Sequence, residues 1–357
     1  MPIREDQVMA SLVDFVLQAC EGREFRILQL TDIQIIDPGQ SRYPERINNI
    51  TPISDEQLYA DCFHYIKSTI EKAKPDLILM TGDNVYGEFD DSGASLRKLI
   101  AYMDSFQIPW APVWGNHDNE STKGGAWQCE QFEKAQYCLF KRGNITGNSN
   151  YTIGIQQGDM LIKVIFMMDS NGCGNGKSYS YLPSFGAYNQ NEKLLTQMGF
   201  GADQIQWVEK MCQHIEETLG YSPSKFAAFH IPLVVYWYAA SAKGYPVGDG
   251  SAKFAIEDPT GTDFGRKQDL FGILEAPEFW ELLKKHNFDG VFAGHCHTNN
   301  FSIVYDGIRL THGMKSSRFD YHLQDMLGGT LITLDKNRVF FVVEHIYIRK
   351  YKEWWRR

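Results

Sequence analysis

Carboxylate, amide and imidazole side chains recur in five short motifs along this chain. The motifs, in chain order, are Asp32-Ile33-Gln34, Gly82-Asp83-Asn84-Val85-Tyr86, Gly115-Asn116-His117-Asp118, Phe229-His230 and Gly294-His295-Cys296-His297. Oxygen and imidazole ligands in this mixture suit hard and borderline divalent or trivalent metal ions. Two such ions side by side can activate water for attack on a phosphate ester. The residue types therefore predict a two-metal hydrolytic site.

Each motif comes directly after an apolar run with the features of a buried strand. Segments of helical period lie between several of these runs, at residues 59–70, 96–103 and 208–219. This alternation of strand and helix predicts an α/β layered fold. Because open α/β sheets build their sites at the carboxyl ends of strands, the five motifs are expected to meet in space.

The 357 residues are interpreted as one domain, 1–357, whose motif-bearing core covers about residues 25–315. Two long segments, 171–191 and 236–272, interrupt the alternation and are rich in Gly, Ser, Tyr and Pro. Loops of this length are usually functional or disordered, so both are predicted as insertions that form walls of the pocket. Within the second, Tyr236-Trp237-Tyr238 either packs under the loop, the favoured interpretation, or forms an aromatic wall.

Composition excludes some classes of partner. The net charge of −9 argues against a broad surface for nucleic acid. No apolar run reaches the roughly 18 residues of a membrane helix, so no membrane span is expected. The seven cysteines are odd in number and irregularly spaced, which favours a reducing compartment. We therefore expect a cytoplasmic protein, or an exported one if a leader has been removed; the oligomeric state stays open.

The order of the motifs resembles the calcineurin-like metallophosphoesterase superfamily, whose usual pattern is D-x-H, G-D-x-x, G-N-H-D/E, H and G-H-x-H. This chain departs at Gln34, where most members have a metal-binding histidine. Purple acid phosphatases also lack that histidine and carry a tyrosine three residues after the bridging aspartate, where this chain has Tyr86. The chain is most similar to their small single-domain subgroup. The resemblance implies a four-layer α/β/β/α sandwich with two mixed sheets.

The resemblance also implies which residues hold the two metal ions. The set comprises Asp32, Asp83, Tyr86 and His297 for one ion, and Asp83, Asn116, His230 and His295 for the other. Asp83 would bridge the two ions. A phenolate is a hard anionic donor, so Fe(III) is expected at the Tyr86 site and iron, zinc or manganese at the other. If Tyr86 points away, Gln34 could bind weakly through its carbonyl.

His117 is expected to face the substrate rather than a metal ion, with Asp118 fixing its orientation. His312 and Gln34 are weaker candidates for contact with substrate. The expected reaction is hydrolysis of a small phosphomonoester by a metal-bound hydroxide. The alternatives are a phosphodiesterase on the same site and, disfavoured by the presence of His117, a non-catalytic metal-binding scaffold.

Overall fold

The protein is described here from a computed structural model. The described residues are 9, 11–39, 54–87, 92–121, 123–172, 199–244, 254–257, 263–267, 274–337 and 340–348. Two mixed β-sheets form the centre of this part of the chain. Its strands are β1 Phe15–Gln18, β2 Phe25–Leu30, β3 Leu77–Thr81, β4 Trp110–Val113, β5 Tyr151–Gln157, β6 Met160–Met167, β7 Ser224–Ala228, β8 Phe254–Glu257, β9 Phe264–Lys267, β10 Phe288–Ala293, β11 Ser302–Tyr305, β12 Ile308–His312, β13 Gly328–Leu334 and β14 Phe341–Tyr347. Its helices are α1 Asp55–Ala73, α2 Ala94–Asp104, α3 Gly124–Lys134, α4 Ala202–Leu219, α5 Val235–Ala242 and α6 Pro277–Lys285, with a 3₁₀ turn at Asp118–Glu120.

The larger sheet has the strand order β1-β5-β6-β7-β10-β12-β11-β9-β8, and the smaller has the order β14-β13-β2-β3-β4. Strands β6, β7, β10 and β12 are parallel neighbours in the first sheet, and β2, β3 and β4 are parallel neighbours in the second. Parallel neighbours end at the same edge of a sheet. Each sheet therefore presents several carboxyl strand ends together.

The sheets pack face to face, with helices on their outer faces. Between them, Phe226 of β7 meets Phe341 of β14 with ring centroids 4.8 Å apart, and Phe292 of β10 joins the same buried cluster. Helix α1 packs on β2, β13 and β14, outside the smaller sheet. Apolar residues of α4, α5 and α6 form a second buried cluster on the outside of the larger sheet. The predicted four-layer sandwich of two mixed sheets is confirmed.

Helix α1 shows how local sequence determines these elements. Ser54 caps its first turn, and the Gln57 side chain accepts from the Ser54 backbone N–H, so the two residues form a capping box. Residues at helical spacing, among them Cys62, Ile66 and Ile70, are buried against the smaller sheet. The helix thereby connects β2 to β3 and makes the two strands parallel.

The prediction that 236–272 is a long loop is wrong in part. Helix α5 and strands β8 and β9 give regular structure to this segment. Helix α5 forms because its alanines favour helix and its apolar side chains are buried. The Tyr236 hydroxyl donates to the carbonyls of Val291 and Thr311, at 3.0 and 3.1 Å, so this residue packs under the sheet as favoured. The other predicted insertion, 171–191, lies outside the described residues except for 171 and 172.

Six of the cysteines fall in the described part of the chain, and each is a free thiol. Cys129 and Cys138 are among them and are not bonded to each other. In the same part of the chain, no helix combines the length and apolarity that crossing a membrane requires.

Candidate metal centre

The polar motifs converge where the carboxyl ends of the two sheets meet. Asp32, Asp83 and Asn116 follow β2, β3 and β4 of the smaller sheet. His230 and His295 follow β7 and β10 of the larger sheet. Each residue lies two or three positions beyond the last strand residue. The expected convergence at the strand ends is therefore present, and both sheets contribute to it.

Four non-glycine residues in these motifs have left-handed backbone. The φ angles are +53° at Asp32, +48° at Gln34, +51° at Asp83 and +81° at His295. Contact between Cβ and the backbone makes this region unfavourable for residues with a side chain, at a cost of about 1–3 kcal/mol each. Such conformations persist only where the surrounding structure enforces them. Their concentration here marks the site as the strained part of the fold.

Two glycines allow the motif loops to approach one another. Gly82 has φ +90°, and a Cβ there would lie 2.6 Å from His230 Nδ1. A Cβ on Gly294 would collide with Thr31 Oγ1 and lie 2.8 Å from Asp32 Oδ2. A close approach is thus present at Gly294, whereas the backbone turn itself occurs at His295.

Asp32, Asp83 and His297 form the first group of potential ligands. One ligand atom from each lies within 4.8 Å of the others, and all three residues are buried. His297 Nδ1 is 2.8 Å from the Tyr321 carbonyl, which can only accept, so Nδ1 carries the proton. This leaves Nε2, 3.3 Å from Asp32 Oδ1, with a lone pair directed into the group. A carbonyl that accepts the other ring N–H is a usual partner of a metal-binding histidine.

The second group forms around His230. Its Nδ1 donates to the Thr81 carbonyl at 2.9 Å, while Nε2 lies 3.2 Å from Asp83 Oδ2 and 3.3 Å from His295 Nδ1. Asn116 Oδ1 is buried and has no hydrogen-bond partner among the described residues. A buried oxygen without a partner is costly unless something binds it. An uncharged oxygen, two imidazoles and a shared carboxylate are donors that suit a second cation.

The electrostatics favour a bound cation. Burial alone would keep His230 neutral, but the Asp83 carboxylate outweighs it and raises the pKa of His230 to about 9. Burial, together with the charge of His230, lowers the pKa of His295 to about 3. The protonated His230 therefore places one positive charge beside the Asp32 and Asp83 carboxylates, and the neutral His295 imidazole lies next to it. A metal ion would supply that charge in place of the His230 proton.

His117 has a carboxylate partner, and this partner is Glu120 rather than Asp118. Glu120 Oε2 lies 2.6 Å from His117 Nδ1, across the 3₁₀ turn that brings residues three apart together. The carboxylate fixes the proton on Nδ1 and leaves Nε2 for a substrate. Burial opposes the effect, but Glu120 and Asp83 raise the pKa of His117 to about 10. The interpretation that Asp118 orients His117 is corrected accordingly.

Asp118 instead holds two of the motif loops together. Its buried carboxylate accepts from the backbone N–H groups of Gly115, Asn84 and Val85 at 2.8–3.0 Å, and from the Asn84 side chain at 3.2 Å. None of its hydrogen bonds within the described chain reaches His117. Asp118 points away because these inward-facing donors can be satisfied only by an acceptor at this position.

Asp118→Ala is expected to lower the free energy of unfolding by roughly 3 kcal/mol, because it leaves several buried donors without an acceptor. Urea unfolding of the metal-free protein measures this loss. Asp118→Asn keeps one acceptor oxygen and should lose less. A change below about 0.5 kcal/mol in the alanine variant, the range of ordinary surface substitutions, would contradict the role.

The other predicted site residues lie nearby but differ in access. The Tyr86 ring is buried, with its centroid 4.4 Å from that of His117.

His312 is fully buried behind the ligand loop and accepts from the Cys296 backbone N–H at 3.3 Å. Gln34 is also fully buried, and its side-chain oxygen accepts from Lys315 at 2.7 Å. Burial leaves His312 and Gln34 no surface for a substrate, so both weaker candidates are reassigned to support of the site.

Glu120 and Lys315 are the functional candidates that sequence reasoning missed. Glu120 could have been found, since Gly115-Asn116-His117-Asp118-Asn119-Glu120 places it three residues after the histidine. Lys315 carries no local signal, because it lies 281 residues from Gln34 in the chain.

The chain matches the calcineurin-like phosphoesterase family over residues 25–299 and belongs to that family. This confirms the resemblance drawn from the motifs. Three curated relatives are 23–26% identical to it over the aligned residues. "Probable inactive purple acid phosphatase 14" of Arabidopsis thaliana is 24% identical over 81% of this chain and 69% of its own length. "Probable inactive purple acid phosphatase 29" of the same plant is 23% identical over 88% of this chain and 78% of its own length.

The third relative, "Phosphatase DCR2" of Saccharomyces cerevisiae, is 26% identical over 81% of this chain, which spans only 47% of that protein. Solved structures are also similar. A dimetal phosphatase from Danio rerio aligns over 89% of this chain and 98% of its own, at 12% identity and a TM-score of 0.47. Purple acid phosphatase PPD1 from yellow lupin aligns over 87% of this chain and 49% of its own, at 14% identity and a TM-score of 0.39.

Proposed function

We propose that this protein is a dinuclear-metal phosphohydrolase that cleaves small phosphomonoesters. The observation that carries the proposal is the arrangement of His297 and His230, whose Nε2 atoms both face the Asp32–Asp83 carboxylate pair. Asp32, Asp83, Tyr86 and His297 would hold one ion, and Asp83, Asn116, His230 and His295 the other. When bound, the two ions would acidify a water molecule and neutralise charge on the phosphoryl oxygens.

His117 would act at the leaving group. Its Nδ1 is held by Glu120, so Nε2 is the atom that would donate a proton to the departing oxygen. Its backbone N–H donates to Asp83 Oδ1 at 2.9 Å, which ties the position of the histidine to the bridging carboxylate. A non-catalytic metal scaffold has no use for an imidazole held in this way. This pair therefore supports catalysis, although two of the relatives are named as probably inactive.

Iron is proposed for the ion beside Tyr86, since a phenolate favours Fe(III). The Tyr86 ring is buried beside His117, whose backbone N–H donates to Asp83. Protein loaded with stoichiometric iron should show a visible phenolate-to-iron absorption band that Tyr86→Phe removes. The iron content of both proteins provides the control. A colourless iron-loaded protein, or an unchanged band in the variant, would refute the assignment.

Turnover of a chromogenic phosphomonoester and of its diester analogue tests the function. The protein would be reconstituted with iron together with zinc or manganese, and Asp83→Asn would serve as the blank. Monoester hydrolysis well above the blank is the expected result. Preference for the diester would replace the proposal with a phosphodiesterase on the same site. Turnover equal to the blank on both substrates would favour the scaffold.

A further inference from the structure

Lys315 brings a buried positive charge to the edge of the proposed metal centre. Its side chain is only 1% exposed. Nζ donates to the Asp32 carbonyl at 2.8 Å and to Gln34 Oε1 at 2.7 Å. A buried ammonium is costly unless its donors are used. Both acceptors belong to the Asp32-Ile33-Gln34 motif, so the lysine is directed at this motif specifically.

The segment that carries Lys315 runs beside that motif and bonds it repeatedly. Thr31 and Lys315 form a parallel bridge, and the Ser316 backbone N–H donates to the Thr31 carbonyl at 2.9 Å. The Ser317 hydroxyl donates to the Ile33 carbonyl at 2.5 Å. Consecutive residues 315–317 thus hold the carbonyls of residues 31–33. This is the backbone that adopts left-handed φ at Asp32 and Gln34.

The lysine also determines which end of the Gln34 amide faces the site. Since an ammonium can only donate, Gln34 must direct its oxygen toward Lys315. The amide nitrogen then donates to Asp83 Oδ2 at 3.2 Å. The same carboxylate oxygen lies 3.2 Å from His230 Nε2. The chain Lys315–Gln34–Asp83 therefore ends on the carboxylate proposed to bridge the two ions.

We propose that Lys315 and Gln34 act together as positioning residues that orient the bridging Asp83 and keep the Gln34 oxygen away from the metal ions. This inference rests on the proposed dinuclear centre. It also gives a physical reason for the missing histidine of the usual D-x-H motif. A metal-binding imidazole needs an acceptor for its second N–H. Lys315 offers only donors, so it matches an amide and not an imidazole ligand at position 34.

A double-mutant cycle on metal affinity tests the pair. Zn²⁺ would be titrated, in competition with a chromophoric chelator, into the wild-type protein and the Gln34→Leu, Lys315→Met and doubly substituted variants. Each single variant should lose about 10–100-fold in affinity for the weaker-bound ion, as when residues that hydrogen-bond to metal ligands are removed elsewhere. Because Lys315 acts through Gln34, the double variant should lose far less than the product of the two single losses.

Lys225→Met is the matched control. Lys225 is also fully buried and bonds Glu216 and Ser222, but it lies at the opposite end of β7 from His230. Its substitution should affect folding and leave Zn²⁺ affinity unchanged. If Lys315→Met does not fold, Gln34→Leu alone carries the test.

The outcomes separate this inference from the proposed function. Wild-type protein that holds fewer than two ions when iron and Zn²⁺ are both supplied would overturn the dinuclear centre itself. Wild-type protein that binds two, with unchanged affinity in Gln34→Leu, would overturn only the positioning role. Losses that multiply fully in the double variant would show that Lys315 does not act through Gln34. A gain in affinity in Lys315→Met would overturn the orienting role of Lys315 and leave only its hold on the Gln34 oxygen.

Discussion

Asp83→Asn is expected to reduce kcat/KM for a phosphomonoester by more than about 10³-fold, beyond the loss seen when a single transition-state donor is removed. The reason is that one carboxylate serves both halves of the site. Its Oδ1 accepts from the His117 backbone, and its Oδ2 faces His230 and Gln34. An amide has one acceptor oxygen and no charge, so it cannot serve both sides or bridge two cations.

In Asp83→Asn, the amount of bound metal should decrease together with the activity. Elemental analysis after exhaustive dialysis should find about two ions per wild-type chain and at most one per Asp83→Asn chain. Asp289→Asn is a suitable control, because Asp289 lies on β10, which leads to His295, but pairs with Lys163. It should retain both ions. Full activity or full metal content in Asp83→Asn would exclude Asp83 as the bridging ligand.

His117→Ala should be the second large effect, with a loss of about 10²–10⁴-fold, the range for a general acid. The loss should depend on the leaving group. An alkyl phosphate needs a proton on its departing oxygen, whereas the nitrophenolate of a nitrophenyl phosphate departs readily without one. The decrease in kcat is therefore expected to be much larger for the alkyl substrate, and steady-state kinetics on both substrates measures the difference.

Glu120→Gln should also slow the alkyl substrate more than the nitrophenyl substrate, but by a smaller factor than His117→Ala. The amide oxygen can still accept the His117 Nδ1–H, but the carboxylate charge beside the imidazole is lost. Metal content should stay at the wild-type value, which separates this variant from Asp83→Asn. If His117→Ala slows both substrates equally, proton donation is not its role. If Glu120→Gln leaves both rates unchanged, Glu120 does not position the histidine.

The strand ends and their polar residues were predictable because they depend on local patterns. An apolar run that stops at Asp32 or Gly82 marks both a buried strand and the position of its carboxyl end. The layered fold follows from the alternation of such runs with helical periods. The position of each motif at a strand end thus required no knowledge of distant contacts.

The supporting residues depend on tertiary geometry that local patterns do not contain. Asp118 is adjacent in sequence to His117, and this adjacency predicts that the two are partners, but the 3₁₀ turn brings Glu120 to the ring and directs Asp118 toward backbone donors. Lys315 reaches Gln34 only because the segment after β12 passes beside the end of β2. In both cases the chain path decides which side chains meet.

The left-handed backbone at Asp32, Gln34, Asp83 and His295 has a consequence for protein engineering. Glycine adopts this conformation without the Cβ contact, so glycine at any of these positions would relieve strain. A library sorted for heat resistance alone would therefore enrich glycines that remove Gln34 or one of the three proposed metal ligands, because stability and activity are opposed at these positions. Screens of this family member should select for bound metal and thermal survival in the same round.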